Sequence, residues 1–238
     1  MAASAALLLG APALASTITF SSLAPNVYAG GETLSEAGYD LHLLEGPVAA
    51  HYGFQSAIGT VANANDPLTC YLTSCPVGAQ GNYLMVLNDG GVQFSRNWNA
   101  QGFRLSSLEL AFIAPVPLPQ GSYGRLRLTG TDLDGVDTYT EVALPGQDAD
   151  GNFVFDAISF APDFAKLVLS TLRIDACVYD ENLSCVNDFD HPAQNQAQFA
   201  LDNVALAEVP EPGSLLLAGA ALGALVVRRR TNAAVKGA

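Results

Sequence analysis

The sequence has few basic side chains, a single Trp and only 14% charged residues over its 238 positions. Ten Lys and Arg stand against 23 Asp and Glu, which gives a formal charge of −13 and a pI near 4.3. Between residues 17 and 209 six basic residues stand against 22 acidic ones, a balance of −16. This charge repels phosphate backbones, so nucleic acid is excluded as a partner. The scarcity of charged residues also excludes a charge-rich disordered chain.

The standard catalytic signatures are missing as well. The sequence has no G-x-S-x-G elbow, Walker loop, dinucleotide glycine fingerprint or H-E-x-x-H motif. Its three histidines, His42, His51 and His191, are scattered along the chain. We therefore expect no catalytic residues and a protein that is not an enzyme. A secreted glycoside hydrolase or lyase stays an alternative, because the many carboxylates offer pairs that only geometry can select.

Half of the residues are apolar, which is enough for a packed core. Apolar and polar residues alternate in short runs such as Leu108–Phe112 and Leu172–Val178. Gly, Asp and Pro turns separate about ten such runs. The others are Leu126–Leu128, Tyr39–Leu44, Val48–Gln55, Tyr83–Asn88, Val92–Arg96, Thr138–Leu144, Phe153–Phe160 and Phe199–Leu206. The pattern predicts an all-β fold, an antiparallel β-sandwich of jelly-roll type over residues 16–208.

One hairpin and one helix can be predicted inside this domain. The turn residues from Leu144 to Gly151 favour a hairpin between the strands Thr138–Leu144 and Phe153–Phe160. A short helix is expected at Pro162–Leu167.

The N-terminal end is typical of a secretory signal peptide. Residues 1–15 carry no charged side chain, an apolar stretch from Ala5 to Leu14, and small residues at Ala13 and Ala15 in the A-x-A arrangement. The basic region that normally precedes the apolar stretch is missing, which we interpret as a start codon assigned too far downstream. A short buried helix is the alternative.

The C-terminal end, residues 209–238, combines three elements in a fixed order. Pro210, Glu211 and Pro212 precede an apolar run from Leu215 to Val227, and a cluster of three arginines follows, Arg228, Arg229 and Arg230. Thirteen helical residues reach about 20 Å against about 30 Å of hydrocarbon, so the run alone is short for a membrane span. Arginine side chains that snorkel to a cytoplasmic headgroup layer would extend it and set an N-out, C-in orientation.

This order resembles the PEP-CTERM sorting signal of Gram-negative bacteria that make exopolysaccharide. The resemblance implies export, transient anchoring in the inner membrane by a short transmembrane sorting helix, and cleavage near Pro210–Pro212 by an exosortase, an integral-membrane transpeptidase. The segment Gln198–Asp202, followed by Asn203, is similar to the QFxxD-type subgroup, in which a final strand runs directly into the sorting signal. A purely structural role for this segment is the alternative, with Phe199 and Leu201 packed inward and Asp202 capping a turn or pairing with a neighbouring strand.

Four cysteines in an exported chain predict disulfides. Three pairings are possible, and the local pairs Cys70–Cys75 and Cys177–Cys185 fit best because each closes a short loop. Zinc is the competing interpretation, although neither spacing is C-x-x-C.

Three acidic loops suggest calcium, a cation that accepts six to eight oxygen ligands in loose geometry. They contain Asp132, Asp134 and Asp137; Asp148 and Asp150; and Asp188 and Asp190. None has the EF-hand register, and ordinary Asp-Gly turns on a wet surface are the simpler explanation.

Exposed aromatic rings are the other candidate ligand-binding groups, because sugars stack on them. Trp98, flanked by Asn97 and Asn99, comes first, followed by Tyr71, Tyr123 and Tyr179. A lone Trp in the core is the alternative. These observations predict an exported, non-enzymatic surface or extracellular-matrix protein associated with exopolysaccharide in a biofilm. The rival functions are a carbohydrate-binding module, a secreted glycosidase or lyase, and ice binding, because some ice-binding proteins carry similar tails.

Overall fold

The computed structural model describes residues 15–46, 57–70, 73–96, 102–113, 123–179, 182–187 and 197–209, and residue 219. Fourteen strands occur in these ranges. They are β1 (Ala15–Ile18), β2 (Asn26–Ala29), β3 (Thr33–Glu36), β4 (Tyr39–Leu44), β5 (Ala57–Asn63), β6 (Asn82–Val86), β7 (Gly91–Arg96), β8 (Phe103–Phe112), β9 (Gly124–Asp132), β10 (Asp137–Ala143), β11 (Asp156–Ser159), β12 (Leu169–Tyr179), β13 (Cys185–Asn187) and β14 (Phe199–Glu208). A 3-10 turn at Pro67–Cys70 and one short helix, α1 (Pro162–Ala165), complete the described part.

The strands form one antiparallel sheet that curls back on itself. Its main path runs β2-β5-β6-β14-β8-β12-β7-β4-β3. Strand β1 extends the sheet beside β14, β11 pairs with β8, β10 and β9 extend it beside β12, and β13 also pairs with β12. The link between β8 and β12 is a single residue pair, Phe103 with Leu169. We call β2, β5, β6, β14 and β8, together with β1 and β11, the first half of the sheet. We call β12, β7, β4 and β3, together with β9, β10 and β13, the second half.

The two halves face each other across the main core. Inward side chains of both halves, among them Leu41 and Phe94 of the second and Leu84 and Leu206 of the first, belong to one buried apolar cluster. The approach is close: a Cβ added at Gly59 in β5 would lie 2.5 Å from Leu43 Cδ1 in β4. The predicted fold is therefore confirmed in its coarse form, as a mostly antiparallel β-sheet that curls so that alternating residues from both halves fill one core.

The strand register defines two ends of the body. At the exit pole, Glu208 at the end of β14 pairs with Phe103, and Phe103 also pairs with Leu169 at the start of β12. Leu169 in turn pairs with Asp132, so the tip of the β9–β10 hairpin lies at the same pole. At the far pole β9 begins and β12 ends, because Val178 pairs with Gly124, and β14 begins opposite the end of β8, because Phe199 pairs with Phe112.

Several predicted strands agree with the structure and one predicted hairpin is wrong. Tyr39–Leu44 has the predicted bounds, and α1 lies inside the predicted helix. Strands β10 and β11 do not pair, however: β10 pairs with β9, and β11 crosses to the first half and pairs with β8. The segment from Leu144 to Gly151 is thus a crossover between halves, in which one bridge, Gln147 with Phe153, is all that remains of the expected hairpin.

Some predicted segments lie outside the described residues. These are the candidate strand Val48–Gln55, the C-terminal segment 210–238 except residue 219, and the predicted signal peptide 1–15 except Ala15, where β1 begins.

Candidate ligand-binding face

The outer face of β9, β10 and β12 carries a row of arginine, tyrosine and glutamate side chains. In β9 the leucines Leu126 and Leu128 point into the core, so the alternation turns Arg125 and Arg127 outward. The register places Glu141 of β10 opposite Arg127. This row, which we call the arginine–tyrosine face, consists of Arg125, Arg127, Tyr139, Glu141 and Tyr179.

The five side chains hold one another in place. Glu141 accepts from both arginines: its Oε2 lies 2.8 Å from Arg125 Nη1, and its Oε1 lies 3.1 Å from Arg127 Nη2. Arg125 also donates from Nε to the hydroxyl of Tyr179. Each guanidinium lies over a ring, Arg125 at 5.5 Å from the Tyr179 centroid and Arg127 at 5.9 Å from the Tyr139 centroid. Such stacking limits the rotamers of both rings.

These contacts also fix the ionisation of the row. The hydrogen bond from Arg125, assisted by Arg127, lowers the pKa of Glu141, whereas the hydrogen bond to Glu141 raises the pKa of Arg125. At neutral pH the row therefore carries two positive charges and one negative charge. It is a small basic patch on a strongly acidic body.

The arginine–tyrosine face contains the kinds of side chain that can bind a sugar: aromatic rings, hydrogen-bond donors and an acceptor carboxylate. Tyr139 is 68% exposed, so most of its ring is open to solvent. Sugars present apolar C–H faces that stack on such rings, and their hydroxyl groups bind the donors of Arg and the acceptor oxygens of Glu. The face combines all three within neighbouring strands.

The polar surface continues across the rest of the second half. Arg173 of β12, whose side chain is partly exposed, pairs with the buried Asp175 beside it, Nε to Oδ2, at 2.9 Å. Further along the sheet, His42 Nδ1 lies 3.1 Å from the hydroxyl oxygen of Thr33. His42 is therefore a hydrogen-bonded strand residue on the outer face of β4, as its place in an alternating run implies.

The predicted aromatic residues are distributed differently. Tyr179 lies in the arginine–tyrosine face, whereas Tyr71 and Trp98 fall outside the described residues. The expectation of an exposed Tyr123 ring is corrected. Tyr123 is buried, its ring packs against those of Phe112 and Phe153, and its hydroxyl donates to Gln147. The Tyr123 ring therefore fills the far pole of the core.

Tyr139 was not among the aromatic residues predicted from the sequence. The available signal was its position in the predicted strand Thr138–Leu144, two residues before Glu141 on the same face.

The two described acidic loops use their carboxylates internally. Asp132 Oδ1 accepts the backbone N–H groups of Asp134 and Val136, each at 2.9 Å. Asp148 Oδ1 accepts those of Asp150 and Asn152, at 2.9 and 2.8 Å. These bonds, the Asn152 backbone bond first, lower the pKa of Asp148.

This geometry is that of ordinary Asp-Gly turns. Asp137 accepts from the Thr131 hydroxyl at 2.7 Å, and Asp188 and Asp190 lie outside the described residues. Within the described part of the chain, no group of three or more His, Cys, Asp or Glu side chains could hold a metal ion.

Both local cysteine pairs lie within disulfide distance. The Cα atoms of Cys70 and Cys75 are 5.7 Å apart, and those of Cys177 and Cys185 are 5.5 Å apart. The first pair closes a loop over the outer face of the first half, where Cys70 Sγ lies 3.2 Å from the Tyr83 hydroxyl. The second pair pins β13 to the end of β12.

The Gln198–Asp202 segment is buried throughout. Phe199 and Leu201 pack into the main core as expected. Asp202 lies at a bulge in β14 and accepts the backbone N–H of Asn203 at 2.7 Å, while its Oδ2 is buried without a hydrogen-bond partner in the described residues. Burial raises the pKa of Asp202 to about 6.

The last strand leads directly into the C-terminal segment. Glu208 is the final residue of β14, and the backbone N–H of Val209 donates to the carbonyl of Gly102 at 3.2 Å. Among the residues that the structure describes, no helix has the length and apolar content to cross a membrane.

A family model of the PEP-CTERM protein-sorting motif matches residues 208–230. The match begins at Glu208, the last residue of β14, and includes Pro210, Glu211, Pro212 and the three arginines Arg228, Arg229 and Arg230. The motif implies an exported protein that exosortase processes and that is anchored in the membrane during sorting. No significant match is found among curated proteins.

Proposed function

We propose that this exported protein is a non-enzymatic component of the cell surface or extracellular matrix and associates there with exopolysaccharide. The arginine–tyrosine face carries the proposal, because it presents rings, donors and an acceptor that are already held in place by mutual contacts. Preorganised rings lose little side-chain entropy when a ligand stacks on them. Repeated weak sites of this kind on many copies suit a polymer with repeated sugar units.

The charge of the body narrows the class of glycan. A balance of −16 between residues 17 and 209 repels strongly anionic polymers, as it repels nucleic acid. Glu141 already neutralises part of the charge of Arg125 and Arg127. The ligand that fits is therefore an uncharged or weakly charged polysaccharide, bound through ring stacking and hydroxyl hydrogen bonds.

A carbohydrate-binding module of defined specificity is the second candidate. It is favoured by the contact of Arg125 with Tyr179, which fixes the direction of the Tyr179 hydroxyl and so restricts which sugar hydroxyls can reach it. A narrow set of glycans on an array would support the module, whereas weak binding to many uncharged polymers would support the matrix role.

The test uses the purified exported protein and immobilised uncharged polysaccharides. Tyr139→Ala should reduce retention about three- to tenfold, because one stacked ring contributes about 1 kcal/mol. Leu68→Ser, an exposed change in the first half, serves as the control and should bind like the wild type. Equal retention of Tyr139→Ala and wild type would overturn this assignment. Sugar release that a single carboxylate substitution abolishes would overturn the non-enzymatic part.

We also propose that residues 1–15 serve as the secretory leader, that the fold is of jelly-roll type, and that the chain belongs to the QFxxD-type subgroup. Two facts support the subgroup: the Gln198–Asp202 segment is built into β14, and β14 runs into the sorting motif without a linker. Sequencing the N-terminus of the exported protein should begin at Ser16, and an intact Met1 would contradict the leader.

A further inference from the structure

The point at which the chain leaves the body is held firmly. Glu208 pairs with Phe103 in the sheet, and its Oε1 lies 2.9 Å from Arg96 Nη2. The Arg96 side chain is only 2% exposed, and its guanidinium also lies over the Tyr39 ring. Arg96 belongs to the second half and Glu208 to the first, so this ion pair ties the two halves together at the exit pole. The first residue of the sorting motif is therefore part of the fold.

The distance between this point and the membrane is short. Five residues, Pro210 to Ser214, separate Val209 from the apolar run that begins at Leu215. Even fully extended, they allow about 21 Å between the Cα atoms of Val209 and Leu215. The headgroup layer takes up about 5 to 8 Å of that distance. The exit pole of the anchored precursor is thus held within about 15 Å of the membrane surface.

The N-terminal strand reaches the same pole. Ala15 at the start of β1 pairs with Ala207 near the end of β14. The segment that precedes Ala15 and the segment that follows Val209 therefore join the body side by side. In the exported precursor, the C-terminal segment therefore directs the exit pole, and not the arginine–tyrosine face, toward the membrane.

Two exposed apolar side chains stand beside the exit of the chain. Leu133 and Val136, at the tip of the β9–β10 hairpin, are 57% and 59% exposed. Leu133 is close to the exit, since a Cβ added at Gly102 would lie 3.6 Å from Leu133 Cδ2. Asp134 and Asp137 flank them, and both carboxylates belong to exposed residues.

We propose that the exit pole is a docking surface for exosortase, with Leu133 and Val136 as its apolar contacts. Exosortase, an integral-membrane enzyme, must bind Pro210–Pro212, and the Cα atom of Pro212 can lie at most about 11 Å from that of Val209. Contact with the pole is therefore unavoidable during cleavage. The flanking aspartates repel anionic lipid headgroups and favour a protein surface with apolar and basic groups.

The experiment follows cleavage of the full-length precursor in cells that contain the exosortase, by pulse labelling and the mass of the C-terminal fragment. The double variant Leu133→Ser/Val136→Ser should slow cleavage about five- to tenfold. Leu183→Ser, equally exposed but in the β12–β13 turn at the far pole, is the matched control and should be cleaved like the wild type. Equal melting temperatures of the purified wild-type and variant domains would show that slower cleavage reflects lost docking and not impaired folding.

A six-residue Gly-Ser insertion between Val209 and Pro210 provides the second arm. The insertion lets the exit pole move away from the bound exosortase, so it should slow cleavage. With the insertion present, the Leu133→Ser/Val136→Ser substitutions should reduce the cleavage rate little further. Faster or unchanged cleavage with the insertion would overturn the proposal, because the pole would then be an obstacle or irrelevant. Binding of the purified body to phosphatidylglycerol vesicles that the double variant loses would also overturn it, in favour of a lipid surface.

Discussion

The two halves of the sheet share one core but treat their outer faces in opposite ways. In the first half, the segments around Cys70, Cys75 and Phe155 cover the outer face and form a second apolar cluster with Tyr83, Met85 and Ala200. In the second half, the outer sides of β9 and β10 are open and carry most of the arginine–tyrosine face, although Asp175 and Cys177 on the outer side of β12 are buried. Strand β5 is accordingly buried on both sides, whereas β10 is exposed along most of its length.

This difference separates stability from recognition within one sheet. A residue on the covered face loses its surroundings when it is truncated, because close-packed neighbours cannot relax fully. A residue on the open face can be changed at little cost to folding, which leaves it free to serve a ligand. Four predictions test this division, in order of decreasing effect on the free energy of unfolding.

The largest effect is expected for Tyr83→Ala. Tyr83 is fully buried in the covered face, its ring meets Phe155 edge to face at 5.3 Å, and burial raises its pKa to about 12. Truncation should lower the free energy of unfolding by about 3 to 5 kcal/mol. Tyr139→Ala on the open face should change it by less than about 0.5 kcal/mol. Equal losses in denaturant titrations of the two variants would remove the distinction between the faces.

The second prediction concerns the loop that makes the covered face. The double variant Cys70→Ser/Cys75→Ser should lower the free energy of unfolding by about 2 to 3 kcal/mol, the value for closing so short a loop. It should also expose the outer cluster, so hydrogen exchange should increase in β5 and β6. Cys177→Ser/Cys185→Ser should cost a similar amount and leave exchange in β5 and β6 unchanged. Matching exchange in both variants would show that the loop is not what covers the first half.

The third prediction uses pH to distinguish the faces. The pKa of Asp202 is raised to about 6 from 3.8, so the folded state favours the protonated carboxyl. Its contribution to stability is therefore complete below about pH 4 and is lost as pH rises through about 6. Asp202→Asn should stabilise the protein by about 1 to 2 kcal/mol more at pH 7 than at pH 4. The same change in stability at both pH values would contradict an ionised, desolvated Asp202.

A strand is easier to predict from the sequence when one of its faces is exposed to solvent. The alternation of the second half predicted β4 with its bounds because one side of that strand faces water. Strand β5 was missed because both its sides are buried: Ile58, Gly59, Val61 and Ala62 break the alternation, and Thr60, the one polar residue among them, is buried as well. A strand that is covered on both sides needs no alternation of polar and apolar residues. The sequence of β5 itself does not indicate that a distant loop covers its outer side.

The candidate face was only half predictable for a similar reason. Tyr179 could be named as an exposed ring from its strand, and the strand that contains Tyr139 was predicted as well. The contacts of Arg125 with Tyr179 and Glu141 depend on the registers of β9 with both β10 and β12, which join residues far apart in the chain. The failed hairpin between β10 and β11 shows how little a turn signal says about such distant pairing.

The smallest effect on folding is expected for Glu141→Gln, and its pH dependence should have the opposite sign to that of Asp202. Arg125 lowers the pKa of Glu141, so the contribution of Glu141 to stability is present above about pH 4.5 and is lost as pH falls through its folded value. The arginine partners are partly exposed, which limits the loss to about 0.5 kcal/mol at pH 7. Denaturant titrations at pH 7 and pH 3 measure this difference. A loss above 2 kcal/mol at pH 7 would mean that the open face also holds the fold together, and the division between a stabilising face and a recognition face would then fail.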